Sequence, residues 1–424
     1  MDKLLNNINF YQKIKKIFFP FYKSKDIKNL FSILEKGKLK DTQVAMFVGG
    51  CVRKFLTNQI IDDIDIATIF SPEEIKEKFR ESNFKIIDTG IKHGSMTAII
   101  NSNKFEITTL RQDIKTDGRH AEISFIDNWQ QDSRRRDFTI NAIYMDAKGN
   151  IYDPQNGTED LKNNKINFIG DPSTRIEEDY LRIVRYLRFC IQYNIKHSDP
   201  EVINAIKLNL NGIKNLSKER ILSELYKIFK LNNINNILEN EKIKNIFLLI
   251  FPEFKYLYRL KKYTFLKNPD LIFSILLVDE KDNYEYFCHK YKVSNNLKKD
   301  LSFIASNYVK YKQEKNFLKK DFKKNIYNYG KTNIKLLIQF IYCAELKFSE
   351  KLLISLLNQV DKIEIPSFPF NGEYLKRQGL TQGKVIGFAL KELEKEWLNK
   401  DFNLKGTEAV LIINKIKNSN VLNF

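Results

Sequence analysis

The sequence predicts an α/β head with a mixed sheet, followed by an all-helical remainder. Three observations predict it. Between about residues 42 and 146, short apolar runs of strand length are separated by Gly and Asn turns. Within that region, Ser71-Pro72-Glu73-Glu74 reads as a helix start, so helix and sheet are interleaved there. From about residue 175 the strand signals fade. Leu, Ile and Phe then recur at helical spacing, with Lys and Asn on the opposite face, as far as the C-terminus.

In chain order, residues 1–41 read as helical. Ile14, Ile17 and Phe18, then Ile27, Leu30, Phe31 and Leu34, share helical spacing before Gly37 and Asp41 break it. Val44–Val48 reads as a buried strand. Gly49-Gly50 then lets the backbone turn sharply and approach a ligand closely, with amide N–H groups free to face a phosphate, and Arg53 adds a fixed cation. After a short helix comes a strand containing Asp63-Ile64-Asp65. The strand period of two points both carboxylates to one side, with Cα atoms roughly 6.5–7 Å apart. Solubility gains nothing from pairing like charges in this way. A divalent metal site does, because hard oxygen ligands suit Mg²⁺ and two such ions serve an in-line phosphoryl displacement.

Phe84–Ile87, Met96–Ile100 and Phe105–Leu110 complete a sheet of about five strands, hairpin-linked and therefore not all parallel. Glu106 falls on a strand neighbouring the Asp pair. A third carboxylate there serves as a metal ligand or as the base that takes a proton from an attacking hydroxyl. Arg134-Arg135-Arg136 give a local positive field for a triphosphate, and Asp137 offers an acceptor for a ribose hydroxyl. The run ends in Phe138-Thr139-Ile140-Asn141-Ala142, apolar enough to be buried, which sets the Arg-Asp pair at a core boundary.

Farther on, Arg182, Arg185 and Arg188 step by three along a helix, with Asp179 one step before them. A plain amphipathic helix accounts for this pattern, with Glu178–Arg182 as an i,i+4 ion pair. Base edges account for it in another way. Cytosine and adenine each present an exocyclic amine beside a ring-nitrogen acceptor, whereas uracil and guanine present the reverse. A carboxylate and a guanidinium one helical step apart would admit the first two bases and leave the others mispaired.

At 424 residues the chain has room for two to four domains. Its 43% hydrophobic and 29% charged residues describe a globular protein rather than a disordered one. A net charge of +19 suits a polyanionic partner, nucleic acid first, although Lys is abundant throughout. Cys51, Cys190, Cys288 and Cys343 form no C-x-x-C pair, and the four His are dispersed, so neither zinc nor a disulfide framework is indicated. The longest apolar runs, such as Leu271–Val278, fall short of a membrane span. No signal peptide is visible and no Arg precedes Arg53, so the cytosol is the expected location. Pro366 and Pro369 mark a joint before the last helical segment.

Taken together, Gly49-Gly50-Cys51-Val52-Arg53 and Asp63-x-Asp65 resemble the first motif of the class II nucleotidyltransferases, which include CCA-adding enzymes and bacterial poly(A) polymerases. That family usually has Asp after the motif's Arg; here the position is Lys54. Arg135-Arg136-Asp137-Phe138-Thr139-Ile140-Asn141-Ala142 resembles its second motif, and Glu178-Asp179-x-x-Arg182 its protein template. Ser217–Leu225 resembles its fifth motif, and the stretch from Phe368 looks like the end of alphaproteobacterial CCA-adding enzymes. The likeness covers about residues 43–230.

The resemblance implies a polymerase β-like head followed by a helical neck, body and tail. The implied boundaries are an N-terminal extension 1–41, head 42–146, neck 147–232 and tRNA-binding body and tail 233–424. It implies two Mg²⁺ on Asp63 and Asp65, with Glu106 as further catalytic carboxylate. It also implies nucleotide binding by Gly50, Arg53, Arg136, Asp137, Asp179, Arg182, Arg185 and Arg188. Arg111, Asp113 and Gly118-Arg119 would belong to a mobile loop needed for the final A. The implied partners are tRNA, CTP and ATP, with no membrane and no protein partner. The activity is addition of CMP and AMP to the tRNA 3′ end; a poly(A) polymerase is the alternative, and an inactive RNA-binding relative a more distant one.

Overall fold

A computed structural model describes residues 20–418 apart from 41, 117–120, 196, 266, 267, 315 and 382. Ile14, Ile17, Phe18, Asp41 and Gly118-Arg119 therefore lie outside the described residues. The chain divides into two units, Met1–Phe254 and Lys255–Phe424.

The first unit is organised on a seven-stranded sheet. Its strands are β1 (Ala45–Val48), β2 (Asp65–Thr68), β3 (Lys85–Gly90), β4 (Ser95–Ile100), β5 (Asn103–Thr109), β8 (Tyr144–Met145) and β9 (Ile151–Tyr152), in the spatial order β3-β4-β5-β2-β1-β8-β9. Only β2 and β5 run parallel; the other neighbours are antiparallel. The mixed sheet is as expected, but it is wider than five strands. The added pair β8 and β9 is only two residues long each, too short to show alternation in sequence. All four β1 side chains are buried, as befits a strand inside a sheet.

The Ser71 expectation is met in full. The Ser71 hydroxyl accepts from the Glu74 amide, and the Glu74 carboxylate accepts from the Ser71 amide, opening the helix Pro72–Phe79. The helix Lys25–Leu34 buries the predicted face, with the Phe31 ring 4.7 Å from that of Phe47. The described residues between 111 and 125 are not a loop. β6 (Arg111–Thr116) and β7 (Ala121–Phe125) pair as a separate two-stranded hairpin. Its polar side chains concealed the strands, because a hairpin outside the main sheet has no apolar face to alternate.

The rest of the first unit is helical, and the helix Leu181–Tyr193 buries nine of its thirteen side chains. Every element of the second unit among the described residues is a helix. Its apolar run forms the helix Pro269–Leu277, buried along Leu271–Leu277, and no described helix is long and apolar enough to cross a membrane. After the non-helical stretch containing Pro366 and Pro369, the last helices gather on their own cluster around Leu393 and Trp397.

Candidate nucleotide and metal site

Gly49 has φ 69°, a left-handed conformation that glycine adopts without strain, and this turns the chain from β1 into the helix Gly50–Leu56. β2 runs beside β1, bringing the acidic pair back to the turn. β2 begins at Asp65, so Asp63 lies ahead of the strand rather than within it. Both carboxylates nevertheless converge. A Cβ on Gly50 would lie 3.5 Å from Asp63 Oδ2 and 3.8 Å from Asp65 Oδ2. Glu106 is the register partner of Asp65 across the parallel β2–β5 pair. Burial, then the negative charges of Asp63 and Glu106, push the Asp65 carboxyl up to about 6.

Concentrated hard oxygens with mutual repulsion fit a divalent cation. Among the described residues no cluster of three or more His, Cys, Asp or Glu could hold a metal by itself. Two carboxylates match the way Mg²⁺ is commonly bound, through one or two protein oxygens with substrate phosphates and water completing the shell.

The cationic side comes from several elements. Arg53 is held by neutral groups: its Nε donates to the Tyr193 hydroxyl at 3.2 Å, and Nη1 donates to Asn141 Oδ1. Its positive charge therefore remains for an anionic ligand. Arg134 closes the helix Trp129–Arg134, so the arginine run stands at a helix end, where cations suit the dipole. Arg136 donates to Asp132 at 2.9 and 3.1 Å and to the Tyr144 hydroxyl at 3.0 Å. Asp132 is fully buried. Burial pushes its carboxyl up, but the Arg136 and Arg135 guanidiniums outweigh that and hold it well below the usual carboxylate range.

Asp137 accepts from Asn141 Nδ2 at 2.6 Å and from Arg185 Nε at 2.7 Å. Burial would raise its carboxyl; Arg185 and Asn141 hold it at about 2. Arg188 donates to the buried Glu224 at 2.8 Å and lies 4.3 Å from the centre of the Phe189 ring.

Asp179 is not on the same helix as the arginines. It is the extended joint between the helices Pro172–Glu178 and Leu181–Tyr193, and its Oδ2 pairs with Arg220 at 2.7 Å. Arg182 pairs with Glu178 at 2.5 Å, the expected i,i+4 contact. Each proposed base reader is thus steadied by a third residue.

One cavity of about 690 Å³ is lined by Gly50, Arg53, Asp63, Asp65, Glu106, Arg136, Asp137, Asp179, Arg182, Arg185 and Arg188. These eleven residues, all singled out in sequence, therefore reach the same space, whereas Arg134 of the arginine run lines another cavity beside Ile114 and Gln131. Ten cationic side chains against six carboxylates line it, a balance suited to a polyphosphate. Sequence reasoning missed Asp132 and assigned no role to Asn141 or Arg220. Asn141 and Arg220 lay inside quoted motifs, but their pairing with Arg53 and Asp179 crosses 88 and 41 residues and leaves no periodic trace. Arg111 and Asp113 of the β6–β7 hairpin also line this cavity.

The chain is similar to known proteins along most of its length. The family model for the poly A polymerase head domain matches residues 45–167, and that for a probable RNA- and SrmB-binding site of polymerase A matches residues 197–257. The mitochondrial CCA tRNA nucleotidyltransferase 1 of Danio rerio is 34% identical over 408 residues, covering 91% of each chain. The Homo sapiens enzyme of the same name is 34% identical over 394 residues, covering 89% of this chain and 88% of that one. The crystal structure of the Bacillus stearothermophilus CCA-adding enzyme in complex with CTP shares the fold, with a TM-score of 0.71 at 22% identity, covering 95% of this chain and all of that one.

Proposed function

The chain belongs to the CCA-adding tRNA nucleotidyltransferase family, and on that premise we propose that it transfers CMP and AMP from CTP and ATP to the tRNA 3′ end, releasing pyrophosphate. The observation that carries this reading is the convergence of Asp63 and Asp65 on Gly50, inside the cavity lined by the arginine stripe. Asp63 and Asp65 would hold the divalent metal, which we take to be two Mg²⁺. When bound, such ions acidify the attacking 3′-hydroxyl and neutralise charge on the leaving group.

The chain's own residues do the rest. Arg53, Arg136 and Arg188 bind the triphosphate, and Gly50 lets it approach the backbone. Asp137, kept ionised by Arg185, accepts from a ribose hydroxyl. Glu106 supplies the third carboxylate beside Asp65, as ligand or base. Asp179 accepts from the exocyclic amine of C or A, and Arg182 donates to the ring nitrogen. Their pairs with Arg220 and Glu178 hold both groups at the cavity wall, and a base shares or displaces those partners.

We assign residues 42–146 to the head, 147–232 to the neck and 233–424 to the tRNA-binding body and tail, with 1–41 as an N-terminal extension. A cytosolic location is our proposal; the two vertebrate relatives are named mitochondrial.

The test is purified protein with tRNA lacking its terminal CCA and each labelled nucleotide, separately and combined. Incorporation of C, then of A only after C, is expected, with U and G refused. A poly(A) polymerase on this scaffold would extend with A alone, and an inactive relative would bind tRNA without incorporating anything.

A further inference from the structure

Lys54 follows Arg53 on the Gly50–Leu56 helix and lines the same cavity. Its ammonium donates to Asp63 Oδ1 at 2.6 Å and also to Asp62. The Lys54 side chain is 19% exposed, whereas those of Asp62 and Asp63 are 74% and 59% exposed. The cation is largely covered and its carboxylate partners are open to solvent. Asp63 therefore has two occupied sides: Oδ1 carries the ammonium, while Oδ2 turns towards Gly50 alongside Asp65 Oδ2.

An ammonium on a ligand carboxylate has two effects. Before metal binds, it offsets repulsion among Asp62, Asp63 and Asp65. When a divalent ion arrives, the same positive charge opposes it. We propose that Lys54 is a built-in counter-cation of the metal site. It neutralises Asp63 while the site is metal-free, withdraws to Asp62 as a divalent ion binds, and so raises the metal concentration at which the site fills. Asp62 is suited to that second role because it already shares the ammonium. The inference rests on the reading that Asp63 and Asp65 hold the metal, and the experiment separates the two.

Mn²⁺ alone, without nucleotide, is titrated into the full chain and free Mn²⁺ is followed by electron paramagnetic resonance. A single charge about 6–8 Å away, in largely aqueous surroundings, alters the affinity of a divalent ion by about five- to tenfold. Lys54→Met is therefore expected to bind Mn²⁺ about five- to tenfold more tightly, and Lys54→Arg close to the wild-type value. Asp62→Asn, which leaves the ammonium wholly on Asp63, is expected to bind more weakly, and it tests the idea independently of how Lys54→Met folds. Without metal, Lys54→Met should also melt at a lower temperature than the wild type and gain more from added Mn²⁺. Wild-type or weaker Mn²⁺ affinity in Lys54→Met, with binding lost in Asp65→Asn, overturns the counter-cation role alone. Unchanged binding in Asp65→Asn overturns the metal reading, and the role of Lys54 with it.

Discussion

Asp63 and Asp65 show what a side chain can do once another segment is brought to it. Each is partly open to solvent and neither fills a core position, so their removal should spare the fold. Asp63→Ala and Asp65→Ala are expected to lose nucleotide transfer while keeping the wild-type circular dichroism spectrum; near-normal turnover with Mg²⁺ in either would refute the assignment. Asp179 and Arg182 make a different prediction, since they meet the base rather than the metal. Asp179→Ala removes the acceptor for the exocyclic amine, and Arg182→Ala the donor to the ring nitrogen. Each should cost about 1–3 kcal/mol of discrimination, read as relative kcat/KM for CTP and ATP against UTP. Full preference in both variants would place base selection elsewhere. The residue types and spacings needed for these roles were legible in the sequence. Their actual partners, Arg220 for Asp179 and Asn141 for Arg53, were not, because those contacts join distant segments.

At the scale of elements, the segment carrying Asp137 and Asn141 is held by packing against the helix Gly157–Lys162. Gly157 is required there because a Cβ would run into the Thr139 carbonyl oxygen, a backbone atom that cannot rotate away. Gly157→Ala is expected to destabilise the protein by about 1–3 kcal/mol, measured by urea unfolding. It should also weaken nucleotide binding, since Asn141 holds Arg53 and Asp137 together. A variant as stable as the wild type would show that this contact yields easily. Strands with a buried face and the capped helix Pro72–Phe79 were readable, since alternation and capping are local codes. The β6–β7 hairpin and the two-residue strands β8 and β9 were not, because pairing partners rather than pattern define them.

For the whole molecule, the net charge of +19 and the excess of lysine over acids beyond about residue 190 predict electrostatic tRNA binding. The logarithm of the affinity should fall with the logarithm of salt concentration at a slope of about −0.9 for each duplex phosphate neutralised. An affinity flat from low to physiological salt would count against a phosphate-binding body. Sequence by itself determined the division into an α/β head and a helical remainder, the acidic pair, the arginine stripe and the polyanionic partner. These follow from composition and short periods, which each stretch of chain carries alone. Only the tertiary structure decided that Asp63 and Asp65 converge on Gly50, that Glu106 pairs in register with Asp65, and that Lys54 holds Asp63. The order in which strands pair brings those groups together, and strand order is set by the burial of whole faces, not by any residue's neighbours in sequence.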